Sequence, residues 1–490
     1  MHAASAQQLF QSDTSLATGR QRAEKAQRTA QGAEYGHPIW LGKQASRLPG
    51  EVAAEEPMIN INTSALASQA AGADGGLVKV ITAHIPDRQE SIVWTAESGR
   101  LARATDLESG QSRHQLRGHA APVSALTSMQ INKTTILFTA SWDKSIRVWI
   151  QGANLRPEPI WTIHDAASDF IKALHIDLSH MCLISSGSDC VVRIWDVRRL
   201  HQALSQQLSR TFEAHTLHLD KDCVRMIGAV RAHTRPVLSL TSLPRCTPTM
   251  EISHDIYPGF CVFSGDSMGR ILELHIELSS NRDAECSVIR ELDGHETGVT
   301  NMVPVWQLAS DDQHLTAFLW TCSQDQTVRR FPLGASQGRA VIPGRTSHIG
   351  TRLGSKPMLR ADLCINVAHA VKSVLPLGLV DESFAEYVII GMANGDIEVW
   401  CIDDQPNYLR TLEGHWHEVS FLGAFTRPSK EVWVASGSLD GTLRRWPLSY
   451  VIHGKSSGVD QQESALCSHS RLKTITAEEE AELDALLDED

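Results

Sequence analysis

The sequence predicts an all-β fold made of seven repeated four-stranded units, and two recurring features carry that expectation. Short segments that open on a histidine return along the chain. Each is followed by a segment in which apolar and polar residues alternate around a Gly, Asp or Asn turn. Alternation with a period of two puts one side of a strand on a core and the other elsewhere, and a tight turn between two such runs makes a hairpin.

The openings are RGHAAPVSAL with His119, TIHDAASDFIKAL with His164, RAHTRPVLSL with His233, DGHETGVTNM with His295, VAHAVKSVL with His369 and EGHWHEVSFL with His415. Successive spacings are 45, 69, 62, 74 and 46 residues. The shortest equal one four-stranded repeat of roughly 40–45 residues. The longer ones require insertions, placed near 199–232, 244–258 and 334–362 where the chain turns polar or rich in Pro and Gly.

The hairpins read TASWDKSIRVW (139–149), SSGSDCVVRIWD (185–196), FSGDSMGRILEL (263–274), TCSQDQTVRRF (321–331), IGMANGDIEVW (390–400) and ASGSLDGTLRRW (435–446). A seventh unit, 91–119, keeps the rhythm of strand and turn but lacks the Trp at the end of its hairpin. One such sheet has two edges and two apolar faces and is not stable alone. Radial stacking covers the faces, and closing the ring leaves only short edges.

These residues resemble the WD40 repeat family over roughly 77–450, which implies a seven-bladed β-propeller. In that family a His before the first strand, a Ser or Thr in the second, a turn Asp and a Trp in the third form a hydrogen-bonded chain. The resemblance implies the sets His119–Ser141–Asp143–Trp149 and His415–Ser438–Asp440–Trp446, and a third, His295–Ser323–Asp325, with Phe331 for the Trp. Elsewhere Gly187 stands for the serine before Asp189, Leu272 for a Trp and Asn394 for an Asp. The histidines are structural in this reading, because a buried indole N–H needs an acceptor and the chain supplies it.

The propeller is expected over 57–453, after a polar arm at 1–56 that is partly helical or disordered. The last hairpin ends at WPLSYV (446–451), so the final blade needs an outer strand from elsewhere. MININTS (58–64) is the expected donor, with LVKVITA (77–83) as its competitor; HPIWLGK (37–43) is expected to dock on the propeller. Residues 454–490 are read as a flexible acidic tail with a short helix over 476–487. There Thr476 and Glu479 have capping-box spacing, and Leu483, Leu486 and Leu487 share one face.

Composition narrows the function. Of the net charge of −12, eight acids lie among Glu478 to Asp490, leaving about −4 for the remainder. No basic stripe is visible, so direct nucleic-acid binding is not expected. No run of about 18 apolar residues exists, so no membrane span is expected, nor does the start carry the apolar core of a secretory signal. Ten cysteines without a C-x-x-C predict reduced thiols in cytoplasm or nucleus and no metal site. G-x-S-x-G, H-E-x-x-H and phosphate-cradling glycine patterns are missing, so neither catalysis nor a cofactor is expected, and a propeller hydrolase is only a remote alternative.

The expected function is a non-catalytic interaction scaffold or adaptor, monomeric itself within a hetero-complex whose partners are other proteins. By analogy with the family, partners meet the residue before the turn Asp (Trp142, Gln324, Leu439) and those after the opening His (Arg235, Trp416, His417). An alternative comes from LISSGSDCVVRIWDVR (183–198), which matches the sixteen-residue box of cullin-RING ubiquitin-ligase substrate receptors. Asp189, Trp195, Asp196 and Arg198 hold its diagnostic positions, the Arg being suited to an acidic adaptor surface.

Overall fold

The structure, a computed structural model, describes residues 21–41 and 79–454, leaving out 30–34, 152–157, 209–218, 244–258, 309–314, 334–357 and several isolated positions. Residues up to Pro447 form one compact unit holding seven sheets. Blade 1 is Val80–His84, Ile92–Glu97, Leu101–Asp106 and Ser112–Arg117; blade 2 is Val123–Ile131, Thr134–Ser141, Ile146–Gln151 and Trp161–Ile163. Blade 3 is Ile171–Asp177, Cys182–Gly187, Val192–Asp196 and Arg225–Val230; blade 4 is Val237–Ser242, Gly259–Asp266, Ile271–Leu278 and Ala284–Leu292. Blade 5 is Val299–Leu308, Leu315–Ser323, Thr327–Pro332 and Leu363–Asn366; blade 6 is Val371–Pro376, Tyr387–Met392, Asp396–Cys401 and Asn407–Glu413. Blade 7 is Val419–Thr426, Val432–Ser438 and Thr442–Pro447, closed by Ile39–Trp40.

Within each blade the strands are antiparallel neighbours in chain order, as short turns dictate. First strands are buried on both sides because both are covered, as in VSALTSMQI of blade 2. Outer strands are more exposed, as in SRHQLR of blade 1, where only Leu116 is buried. Third-strand tryptophans pack backwards onto the preceding blade. Trp149 joins Trp94 and Ala102 of blade 1, and Trp195 joins Phe138 and Val148 of blade 2.

The first strands touch one another in sequence around the whole ring, and the first strand of blade 7 touches that of blade 1. All seven carry a bulge directly after their leading residue, from Val80 to Val419. A bulge bends a strand and re-aims one side chain. In five blades a hydroxyl at this bulge, one or two residues after the leading residue, donates to the leading carbonyl of the next blade. Ser124 reaches Ile171 O at 2.5 Å, Ser239 reaches Val299 O at 3.1 Å and Thr300 reaches Val371 O at 2.9 Å. Ser373 reaches Val419 O at 2.8 Å, and Ser420 closes the circle on Val80 O at 2.6 Å. The two remaining seams use a histidine at the far end of the strand: His84 Nε2 lies 2.8 Å from Ser128 Oγ, and His175 Nε2 lies 2.9 Å from Ser242 Oγ. Burial pushes both imidazoles down to about 4.

Ring closure differs from the expectation. The outer strand of blade 7 is Ile39–Trp40, paired antiparallel with Thr442 and Leu443, so the closing strand comes from the segment 37–43 that was expected only to dock. MININTS (58–64) lies outside the described residues. Its competitor supplies instead the first strand of blade 1, Val80–His84. The physical reason is room. Lys25, Thr29 and Gly36 already lie against blades 6 and 7, where Lys25 bonds Asn394 O and Asp396, and the buried Arg444 donates to Thr29 O and Gly36 O. The chain therefore arrives beside the open edge before it reaches residue 58.

The insertion at 199–232 holds a helix, Arg198–Leu208, and the outer strand of blade 3. At the end of the one at 334–362, Met358–Leu359 adds a fifth, parallel strand to blade 4. The insertion at 244–258 lies outside the described residues, as do Thr476, Glu479, Leu483, Leu486 and Leu487 of the tail. The second unit, from Leu448 on, shows a short helix at Leu448–His453.

Candidate functional site

Four blades tie their hairpin turn to an opening histidine. In blade 2, His119 Nδ1 lies 2.9 Å from Asp143 Oδ2 and Nε2 lies 2.8 Å from Thr139 Oγ1. Trp149 Nε1 donates to the same hydroxyl at 2.9 Å. Blade 7 repeats this with His415, Asp440, Ser436 and Trp446 at 2.9, 2.8 and 3.1 Å. Blade 5 uses His295, Asp325 and Thr321, with Phe331 ending the chain. The relay hydroxyl is thus Thr139, Thr321 and Ser436 rather than Ser141, Ser323 and Ser438. The two candidates sit two residues apart on one side of the strand, and register decides between them: Leu137 pairs with Trp149, which brings Thr139 over the indole. Ser141, Ser323 and Ser438 instead cap the turn, each accepting an N–H from the Asp at 3.1 Å.

Burial works to raise the Asp143 carboxyl, but bonds from His119 and Ser145 outweigh it and hold the group below its ordinary range. Asp325 behaves the same way through His295 and Thr327. These carboxylates are spent on the fold.

Blade 4 reaches a related arrangement from another position. Asp266 pairs with Val237 as Ser141 pairs with Val123, yet it meets His233 at 3.0 Å while also accepting the N–H groups of Met268 and Arg270. It does the work of both the capping serine and the turn aspartate. The same register puts Leu274, not Leu272, in the tryptophan place, since Val262 faces Leu274 as Leu137 faces Trp149. His164 and His369 are exposed and belong to no such chain among the described residues.

Blades 1 and 3 replace the histidine by an arginine. Arg103 grips the fully buried Glu97 at 2.7 and 3.1 Å. Arg193 meets Asp189 at 2.7 Å, while Trp195 donates to Ser185. Both arginines occupy one register position, opposite a second-strand hydroxyl, as do Arg147, Arg329 and Arg444. Where a histidine takes the carboxylate, this arginine reaches away. Arg329 donates to Asp293 O and Gly294 O, and Arg444 to the arm.

What remains for recognition is a rim that every blade builds alike. One residue before each turn donates its N–H to the carbonyl just ahead of that blade's first strand. These residues are Ser98, Trp142, Ser188, Ser267, Gln324, Ala393 and Leu439. Trp142, stacked on Phe170 at 5.6 Å, and Leu439 are half-buried, and Gln324 is exposed. Arg235 is exposed as well. Trp416 and His417 are buried beside Asp440 and Ser438, so the structure does not present them; Trp416 N–H donates to Asp440 at 3.3 Å and His417 O accepts from Ser438.

In the 183–198 box, Asp189 and Trp195 are held within blade 3. Asp196 accepts the Arg198 N–H at 3.0 Å and pairs with Arg282 of blade 4 at 3.2 Å. Arg198 itself is exposed at the first residue of the helix. No group of three or more potential metal ligands occurs among the described residues, and none of their helices is long and apolar enough to cross a membrane.

A family model described as "WD domain, G-beta repeat" matches residues 110–149, 157–196 and 406–447. Each match begins just ahead of the outer strand of one blade and ends on the third strand of the next. That one-strand offset is why a separate segment must complete blade 7. Among curated proteins, the chain is 29% identical over 161 residues to "COMPASS component SWD3" of Saccharomyces cerevisiae, covering 31% of this chain and 45% of that one. It is 36% identical over 88 residues to "Periodic tryptophan protein 2" of the same organism, covering 18% of this chain and 8% of that one. The chain thus spans less than half of either relative. With seven closed blades, histidine-tied hairpins and three matched repeats, the chain is a seven-bladed β-propeller that carries WD40 repeats.

Proposed function

We propose that this propeller is a non-catalytic scaffold or adaptor subunit of a multiprotein complex, presenting its rim to other proteins. The observation that carries the reading is the ring of seven equivalent pre-turn positions, fixed by the same backbone bond and filled by different side chains. A rigid frame with varied side chains at its edge suits recognition. The histidines that open four blades, His119, His233, His295 and His415, and their aspartates are bonded to one another inside the blades. That one relative carries the name of a complex component adds support. Affinity purification with mass spectrometry from the native host, on wild type and Trp142→Ala, tests it. A stoichiometric set of proteins thinned by the variant is expected. Turnover of a substrate by the purified chain alone would replace this reading by a catalytic one.

A second reading, substrate receptor of a cullin-RING ligase, is favoured by one observation, the exposure of Arg198 at the end of its box. The same purification on Arg198→Ala separates it. A cullin adaptor present with wild type and lost with the variant supports the receptor role, and its absence from both samples rejects it.

A further inference from the structure

The rim is not uniform in charge. The register that puts Lys372 after the leading residue of blade 6 brings it to Glu418, the residue ahead of blade 7's first strand, at 2.9 Å. Lys172 holds the same bulge position in blade 3. The residue ahead of blade 4's first strand is Pro236, so no carboxylate meets it there. Beside Pro236 stands Arg235, and a few residues earlier Arg231; both are exposed. None of the three cations makes a hydrogen bond or ion pair among the described residues.

The acids nearby are already engaged. Asp189 is bound by Arg193 and Ser168, Asp266 by His233, and Asp169 accepts the N–H of Phe170. Arg231 follows Val230, which pairs with Val192 just past the blade 3 turn, and Arg235 stands four residues on, beside Pro236. Pro236 O accepts the N–H of Ser267, whose neighbour Met268 is 58% exposed. On the other side, Ser188 N–H donates to Phe170 O, and Phe170 carries the Trp142 stack. Three uncompensated cations are thus bracketed by apolar side chains, in a chain whose net charge is −12. Across the ring the arm occupies blade 6 through Lys25, and Trp416 and His417 of blade 7 are buried, so those two blades offer less open rim than this stretch.

We propose that the rim over blades 2 to 4 binds an acidic peptide segment bearing an apolar side chain. Arg231, Arg235 and Lys172 take its carboxylates, while Trp142, Phe170 and Met268 take the apolar group. Carboxylates pair well with planar guanidiniums, and aromatic side chains are the strongest anchors in interfaces. This inference rests on the scaffold reading and adds the chemistry of the partner.

The test uses the full chain and its double variant R231E/R235E, whose two sites are exposed and whose melting curve should match wild type. Random peptides of about 12 residues, a length that can span two blades as an extended segment, are displayed on phage and panned against both. The enriched peptides should be rich in Asp and Glu with one aromatic or aliphatic residue. As synthetic peptides they should bind the double variant at least about tenfold more weakly, and weaken as salt screens the charges. Peptides without an acidic excess, no enrichment, or equal affinity for the double variant overturns the proposal. So does a single-stranded RNA oligomer that displaces the peptides and loses binding in the same variant, since the cations would then serve phosphates. If the variant keeps every native partner while wild type has them, this inference falls and the scaffold reading stands. If wild type captures none, the scaffold reading falls first.

Discussion

Blades 6 and 7 are neighbours in one ring, built from the same meander, and they are held in different ways. Blade 7 ties its turn from within, through His415, Asp440, Ser436 and Trp446, all of them buried. Blade 6 has Ile390 at the relay position and its His369 is exposed. Its turn is local, Asn394 bonding Asp396, and is braced from outside by Lys25 of the arm. The difference teaches that the hydrogen-bonded chain is one way to secure a hairpin, and that the ring needs each hairpin secured rather than secured alike. Blades 1 and 3 extend the lesson, since an arginine from the third strand holds the carboxylate where histidine is missing.

That comparison can be broken most sharply in blade 1. Arg103→Ala leaves Glu97 buried without a counter-charge, a loss of about 3–5 kcal/mol. Replacing both by methionine should restore most of it, because the pair's mutual attraction mainly offsets its own desolvation. Urea unfolding measures both variants, and a mild effect of the single change would show that water reaches Glu97.

Next comes the pair of turns. Asp440→Ala should cost about 2–3 kcal/mol, because His415, Thr442 and the Trp416 N–H lose their acceptor. Asn394→Ala in blade 6 should cost under about 0.5 kcal/mol, the usual effect where no buried partner is stranded. Equal losses at the two turns would erase the distinction between them.

Acid separates the two kinds of seam. His84 and His175 stay neutral in the folded chain down to about 4, whereas an unfolded imidazole takes a proton near 6.5. Between those values protons favour the unfolded chain, so stability should fall as pH drops from 6.5 towards 4. The paired change H84N/H175N should remove up to roughly 6 kcal/mol of that dependence, about 1.4 kcal/mol per pH unit for each imidazole. Melting temperatures followed against pH decide it, and curves of the same slope for variant and wild type would assign the acid response to other groups.

The smallest effect belongs to the hydroxyl seams. Ser420→Ala removes the bond that joins blade 7 to blade 1 and should cost about 1 kcal/mol. Ser124→Ala in the interior of the chain should cost the same, if closing the ring makes a seam like any other. A much larger loss at Ser420 would mark the closure as the weak point.

Much of this architecture is legible in the residues, for stated reasons. Period-two alternation around Asp and Gly turns marks strands and hairpins because side chains on a strand alternate between its faces. The histidines of blades 2, 4, 5 and 7 stand out by their distance from the following valine. Other features are not legible. Thr139 and Ser141 are equivalent by alternation, and only the pairing of Leu137 with Trp149 selects one. Ile39–Trp40 is two residues long, too short for any period, and its role follows from where the arm lies. Trp416 and His417 look like rim residues by position, and their burial comes from long-range packing.

By itself, the sequence determined that this chain is a repeat of hairpins needing stacked neighbours, since each sheet leaves two apolar faces uncovered. The tertiary structure alone decided which strand completes the ring, which hydroxyl joins each histidine, and which rim cations go without an acid. Those outcomes depend on register and on contacts between residues hundreds of positions apart, and local pattern carries no information about distances in space.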